Sequence, residues 1–92
     1  MGNEYEIRIS AMDQALIEEH IQSLPYLKVF NAERNEFELR DSEGGFAYIG
    51  IHDGIVVFTD VQCNPKAAAM ILHGLVDFAL FRLGGRIEIQ QA

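Results

Sequence analysis

The side chains with the clearest capacity for chemistry are three histidines and a single cysteine, namely His20, His52, His73 and Cys63. A zinc site uses such ligands at close spacing, and the sequence contains no HxH, CxxC or HExxH pattern. A catalytic cysteine needs a neighbouring base, and no histidine lies close to Cys63 in the sequence. We therefore expect no metal site, no cofactor and no catalytic residue.

Each of these side chains also has an ordinary structural role. His20 is predicted at the edge of the core, and His52 lies beside a turn at the end of a strand. His73 is predicted on the solvent face of a helix, with Asp77 four residues further on. Cys63 precedes the second helix, where a small residue fits a tight turn.

The charge of the chain excludes some classes of partner. Fourteen acidic residues against seven basic ones give a net charge of −7, and the basic residues are scattered. Nucleic-acid binding requires clustered Lys and Arg, so we expect neither nucleic acid nor an anionic membrane surface as a partner. An acidic surface favours solubility, and a second interpretation is an acidic face that engages a basic protein.

The composition indicates a folded protein. The start of the chain and the single cysteine favour the cytoplasm. Ninety-two residues, of which 49% are apolar, predict one domain that spans 1–92. The longest apolar-rich segment, 67–83, contains His73, Asp77 and Arg82 and is too short for a membrane span. The beginning of the chain does not have the pattern of a secretory signal, and one cysteine allows no internal disulfide.

Residues 4–24 predict a strand and then a helix. Residues 4–9 alternate between polar and apolar types, as in a strand with one buried face. We expect Ser10 to cap a helix that runs to about Leu24, with Asp13 in the acidic position of a capping box. The apolar stripe of this helix consists of Leu16, Ile17, His20, Ile21 and Leu24.

The middle of the chain predicts four strands, at 27–32, 36–41, 46–52 and 55–61. Loops of two and of three residues between the first two strands place Phe30 on opposite faces, and both registers stay open. The last two strands flank Asp53-Gly54, a pair typical of a type I′ turn, because both central residues of that turn need positive φ.

This turn assigns residues to the two faces of the last hairpin. The face predicted to join the core holds Ala47, Ile49, Ile51, Val56 and Phe58. The other face is mixed and holds Phe46, Tyr48, Gly50, His52, Ile55, Val57 and Thr59. A glycine in a strand can mark the close approach of a ligand, so Tyr48 and His52 are candidates for lining a pocket there.

The last third of the chain predicts a helix and a final strand. Asn64-Pro65 is expected to begin the helix and Gly84 to end it. The strand 86–90 repeats the alternation of the first strand and should pair with it. The resulting order is β-α-β-β-β-β-α-β, which predicts an α+β two-layer sandwich with two helices on a mostly antiparallel sheet. Without one middle hairpin this order is ferredoxin-like, an analogy of architecture that implies no function.

The second helix has more apolar surface than one core requires. At about 100° per residue, Met70, Leu80 and Phe81 flank the polar line of His73 and Asp77 instead of the core side. The same spacing places Arg82 on the core side. Leu80 and Phe81 either pack beneath the last strand or the first helix, or contact another chain.

Two classes of function follow from these patterns. The first is a small, acidic, non-catalytic protein-interaction module: an adaptor, an inhibitor, an immunity-type or a chaperone-type protein, with self-association as one option. Its predicted interaction surface comprises Met70, Leu80, Phe81, Tyr48, Ile55 and Val57. The alternative is a small ligand-binding domain or enzyme with a pocket over the sheet face near Tyr48, Gly50 and His52.

Overall fold

A computed structural model describes residues 3–40, 44–62, 65–84 and 86–91. Over these residues the chain forms two α-helices, one π-helical turn and six strands in one sheet. In chain order they are β1 (Asn3–Ile9), α1 (Gln14–Gln22), β2 (Leu27–Asn31), β3 (Glu36–Arg40), β4 (Phe46–His52), β5 (Ile55–Asp60), α2 (Pro65–Phe78), the π-helical turn (Ala79–Leu83) and β6 (Ile87–Gln91).

The sheet has the strand order β2-β3-β4-β5-β1-β6, and every neighbouring pair is antiparallel. The two terminal strands are neighbours, as their matching alternation predicted. The sequence prediction of an α+β sandwich with this order of elements is therefore confirmed.

Both helices pack on the same face of the sheet. Alternate residues of β1, β3, β4 and β5 meet the apolar sides of α1 and α2 in one cluster, and no described polar or charged side chain is fully buried. The buried residues are Ile7, Ile9, Ile17, Ile21, Phe37, Leu39, Ala47, Ile49, Ile51, Val56, Phe58, Ile71, Leu75 and Ala79.

The turn at Asp53-Gly54 sets the register of the central hairpin. Asp53 has a φ of 51° and Gly54 a φ of 77°, so both adopt the left-handed conformation that a type I′ turn needs. His52 then pairs with Ile55, and Tyr48 with Thr59. The predicted core face of this hairpin is confirmed.

The cap of α1 differs from the prediction. Asp13, not Ser10, is the N-cap residue, and its carboxylate accepts a hydrogen bond from the amide of Leu16. Ser10 instead lies in the turn that follows β1, and its hydroxyl accepts a hydrogen bond of 2.7 Å from the amide of Arg86. The helix starts later because the backbone of Ser10 also bonds to Arg86, at 3.0 Å, next to β6.

The connection between β2 and β3 is longer than either loop considered from the sequence. Asn31 pairs with Glu36, which leaves a four-residue loop, 32–35. The Asn31 side chain holds the turn by accepting hydrogen bonds from the amides of Glu33 and Arg34. This register places Phe30 opposite Phe37, on the side of the sheet that faces the helices.

The end of α2 also departs from regular geometry. The amide of Gly84 donates to the carbonyl of Ala79, five residues earlier, and Gly84 adopts the left-handed conformation that ends the helix. Arg82, expected on the core side, is exposed in this last turn. Asn64, the predicted cap at the start of this helix, lies outside the described residues.

The central hairpin gives a direct test of the fold. Gly54→Val should lower the free energy of unfolding by ~1 kcal/mol or more, because a β-branched residue is strained at positive φ. Urea denaturation measures the change. Asp53→Asn is the matched control and should stay within about 0.5 kcal/mol, since Asn is also favoured in this turn. Equal stability of Gly54→Val and the wild type would contradict this account of the hairpin.

Candidate interaction surfaces

The solvent side of α2 and its π-helical turn carries large apolar side chains. Phe81 is 83% exposed, and Met70 and Leu80 are each about half exposed. Phe81 is therefore not packed beneath β6 or α1, which was one of the two arrangements considered from the sequence. We call these three residues the helix patch.

Few acidic residues accompany the helix patch. Residues 65–83 contain the basic residues Lys66 and Arg82 and one acidic residue, Asp77. The carboxylate of Asp77 lies 3.3 Å from Nδ1 of His73, one turn away on the exposed side. This helix is thus among the least acidic parts of a strongly acidic chain.

The sheet face opposite the helices forms a second, more polar surface. No described helix covers it, and Tyr48, Ile55 and Val57 lie on it partly buried. The rings of Phe46 and Tyr48 meet edge to face there, with 5.8 Å between their centroids. Ion pairs occupy β3 on the same face, and one of them joins Arg40 to Glu38 at 2.9 Å. The predicted interaction residues therefore divide between two separate surfaces.

The predicted pocket residues Tyr48 and His52 both lie on the open face of the sheet. The imidazole of His52 lies over Gly50, so close that a Cβ added there would be 2.7 Å from Nε2. Tyr48 lines a separate small groove of about 150 Å³, together with Val29, Asn31, Arg34, Glu36 and Glu38. A ligand at Gly50 would first have to displace the side chain of His52.

A larger cleft, which the sequence did not predict, lies between α1 and the end of α2. It has a volume of about 280 Å³ and is lined by Leu16, Glu19, His20, Ser23, Phe78 and Arg82. The imidazole of His20 stacks on the ring of Phe78 with 4.7 Å between centroids. The guanidinium of Arg82 lies 5.9 Å from the centroid of the same ring, within cation–π range.

His20 is held in this cleft with one ring nitrogen unsatisfied. Its Nε2 atom is buried without a hydrogen-bond partner, on the side of the ring that faces Gly74. Because burial disfavours the charged imidazolium, the pKa of His20 is lowered from its ordinary value of 6.5. The apolar stripe of α1, which includes His20, was the sequence signal for this position.

The three histidines that were candidates for metal binding lie on three different elements. Over the described residues, no group of three His, Cys, Asp or Glu side chains is arranged to hold a metal ion. His20, His52 and His73 lie on α1, β4 and α2, respectively. Cys63 lies outside the described residues.

None of the described helices is both long enough and apolar enough to cross a membrane.

Sequence reasoning missed an apolar group on the edge strand β2. Leu27 is 68% exposed, and Val29 and Phe30 are each about half exposed. Leu27 and Val29 lie on the open face. Phe30 contacts Phe37 on the other face, with 4.8 Å between the ring centroids. Apolar residues on both faces of a strand were visible in the sequence, but its position at the edge was not.

Comparison with known proteins adds no assignment. The chain matches no protein-family model, no curated protein and no solved structure at a significant level.

The burial of His20 predicts a loss of stability in mild acid. Well above pH 6.5 this ring is neutral in both the folded and the unfolded chain. As the pH falls, the unfolded chain binds the proton first, because the folded pKa is lower, so the free energy of unfolding decreases. Urea titrations between about pH 8 and about pH 5, where carboxylates stay mostly ionised, measure this slope.

Two variants separate the contribution of His20 from that of His73. His20→Phe keeps a ring against Phe78 and should lose this part of the pH dependence, whereas His73→Gln should retain it. If His20→Phe lost stability in acid as steeply as the wild type, the acid sensitivity would have another origin.

Proposed function

We propose that this protein is a small, acidic, non-catalytic protein-interaction module that self-associates through the helix patch. The exposure of Phe81 carries the proposal, since an aromatic ring 83% open to water gains most from a partner. Burying such a side chain contributes roughly 1.5–3 kcal/mol, and a two-fold contact buries two of them.

The distribution of charge supports a second copy as the occupant. Two chains of charge −7 repel each other, and the repulsion is smallest where carboxylates are few. Residues 65–83 contain one carboxylate, that of Asp77, which pairs with His73. Met and aromatic residues, as in the helix patch, are also enriched in the cores of protein interfaces.

Adaptor, inhibitor, immunity-type and chaperone-type roles are all compatible with such a module. A reducing compartment such as the cytoplasm suits it, because a single cysteine forms no internal disulfide. The alternative is an enzyme or ligand-binding domain with a pocket near Tyr48, Gly50 and His52, and the imidazole of His52, which lies over Gly50, gives it less support.

Replacement of the most exposed ring tests the proposal. Phe81→Glu should remain folded, because the wild-type ring makes little contact within the chain, and should weaken association about tenfold or more. Sedimentation velocity across a concentration series measures the change, and circular dichroism checks the fold.

Gln90→Glu is the control, because it adds the same charge on an exposed strand without removing an apolar group. It should leave association nearly unchanged. A Phe81→Glu protein that unfolds would mean that Phe81 belongs to the core, and one that associates like the wild type would exclude the helix patch as the contact.

A further inference from the structure

The edge strand β2 offers a second surface of a different kind. In the sheet it pairs with β3 on one side, and no described strand pairs with its other side. The outer backbone groups of an edge strand are a template for another extended chain. Leu27, Val29 and Phe30 make this edge apolar on both of its faces.

The usual protection of such an edge is missing from β2. Proteins commonly place a lysine on an edge strand so that its charge disfavours pairing. The lysine of β2, Lys28, is instead partly buried and donates hydrogen bonds from Nζ to the carbonyls of Leu24 and Tyr26. Its ammonium group is thus held by the connection between α1 and β2. The opposite edge strand, β6, presents Glu88, Gln90 and Gln91.

We propose that β2 pairs with β2 of a second copy, antiparallel about a two-fold axis at Val29, so that the two sheets become continuous. Each Val29 then lies opposite its counterpart, with Leu27 opposite Asn31 and Lys28 opposite Phe30. No two like charges face each other in this register. The side chains of Leu27 and Val29 from both copies adjoin on the open face.

The choice of a second copy follows from the composition of the strand. β2 contains no carboxylate, whereas the whole chain carries fourteen acidic residues. Two acidic chains can therefore approach along β2 without opposing carboxylates on the paired strands. A two-fold axis satisfies the outer hydrogen-bonding groups of both copies at once, and two-fold contacts are the commonest in homo-oligomers.

This contact stands independently of the helix patch, which lies on another element. If both contacts form, each chain has two different self-complementary surfaces, and copies join alternately through them. The mass of the assembly then increases beyond that of a dimer as the concentration rises. If only one contact forms, association stops at a dimer.

Cysteine cross-linking tests the register. In a Cys63→Ser background, Val29→Cys places two thiols across the axis, where directly opposed residues are about 4.5–5.5 Å apart, within reach of a disulfide. Leu27→Cys is the control, because its two copies would lie about 14 Å apart. We expect a covalent dimer from Val29→Cys alone on mild oxidation. No dimer, or equal dimer from both variants, would overturn the proposal.

Sedimentation of single and double variants separates this contact from the helix patch. Val29→Lys should fold, because Val29 is half exposed, and should weaken the β2 contact about tenfold or more by opposing two charges at the axis. A wild-type dimer lost in Val29→Lys but kept in Phe81→Glu supports β2 pairing and overturns the helix patch. The reverse result overturns β2 pairing and supports the helix patch.

Two further outcomes are also decisive. A wild type larger than a dimer, reduced to a dimer by either substitution and to a monomer by both, supports both contacts. A wild type that stays monomeric at millimolar concentration overturns both.

Discussion

Two helices cannot cover a six-stranded sheet, and this constraint leaves apolar side chains of the outer strands exposed even on the side of the helices. Neighbouring strands lie about 4.8 Å apart, so the outer strands are separated by roughly 24 Å. Two packed helices about 10 Å apart cover the middle of one face. Phe30 on β2 and Ile89 on β6 point to the helix side and are nevertheless about half exposed, because both belong to the outer strands.

The central part of this arrangement could be predicted from local patterns. Asp53-Gly54 specifies its own turn, and alternation on either side of it then assigns every residue of β4 and β5 to a face. Alternation in the terminal strands and the glycine at 84 were equally direct signals, since each depends on chemistry within a few residues. These signals were sufficient for the order of the elements and for the core face of the hairpin.

The remaining features depend on contacts between distant parts of the chain. Ser10 has the type of a helix cap, but its hydroxyl is engaged by Arg86, which only the pairing of β1 with β6 brings close. The stacking of His20 on Phe78 depends on how α1 and α2 pack. Exposure of β2 depends on its place in the sheet, which its five residues do not encode. Propensity and periodicity contain none of this information.

The carboxylates and the exposed apolar side chains are concentrated on different elements of the fold. The open face of the sheet carries carboxylates on its strands, among them Glu6, Glu36 and Glu38. Apolar residues such as Val57 lie partly buried on that face, so it can face water without an extended apolar area. Most of the large apolar side chains open to water lie on α2 with its π-helical turn and on the edge strand β2, where carboxylates are scarce. Charge that keeps acidic copies apart is therefore weakest where burial would stabilise their contact most, and this coincidence favours association over a purely solvating role for the acidic surface.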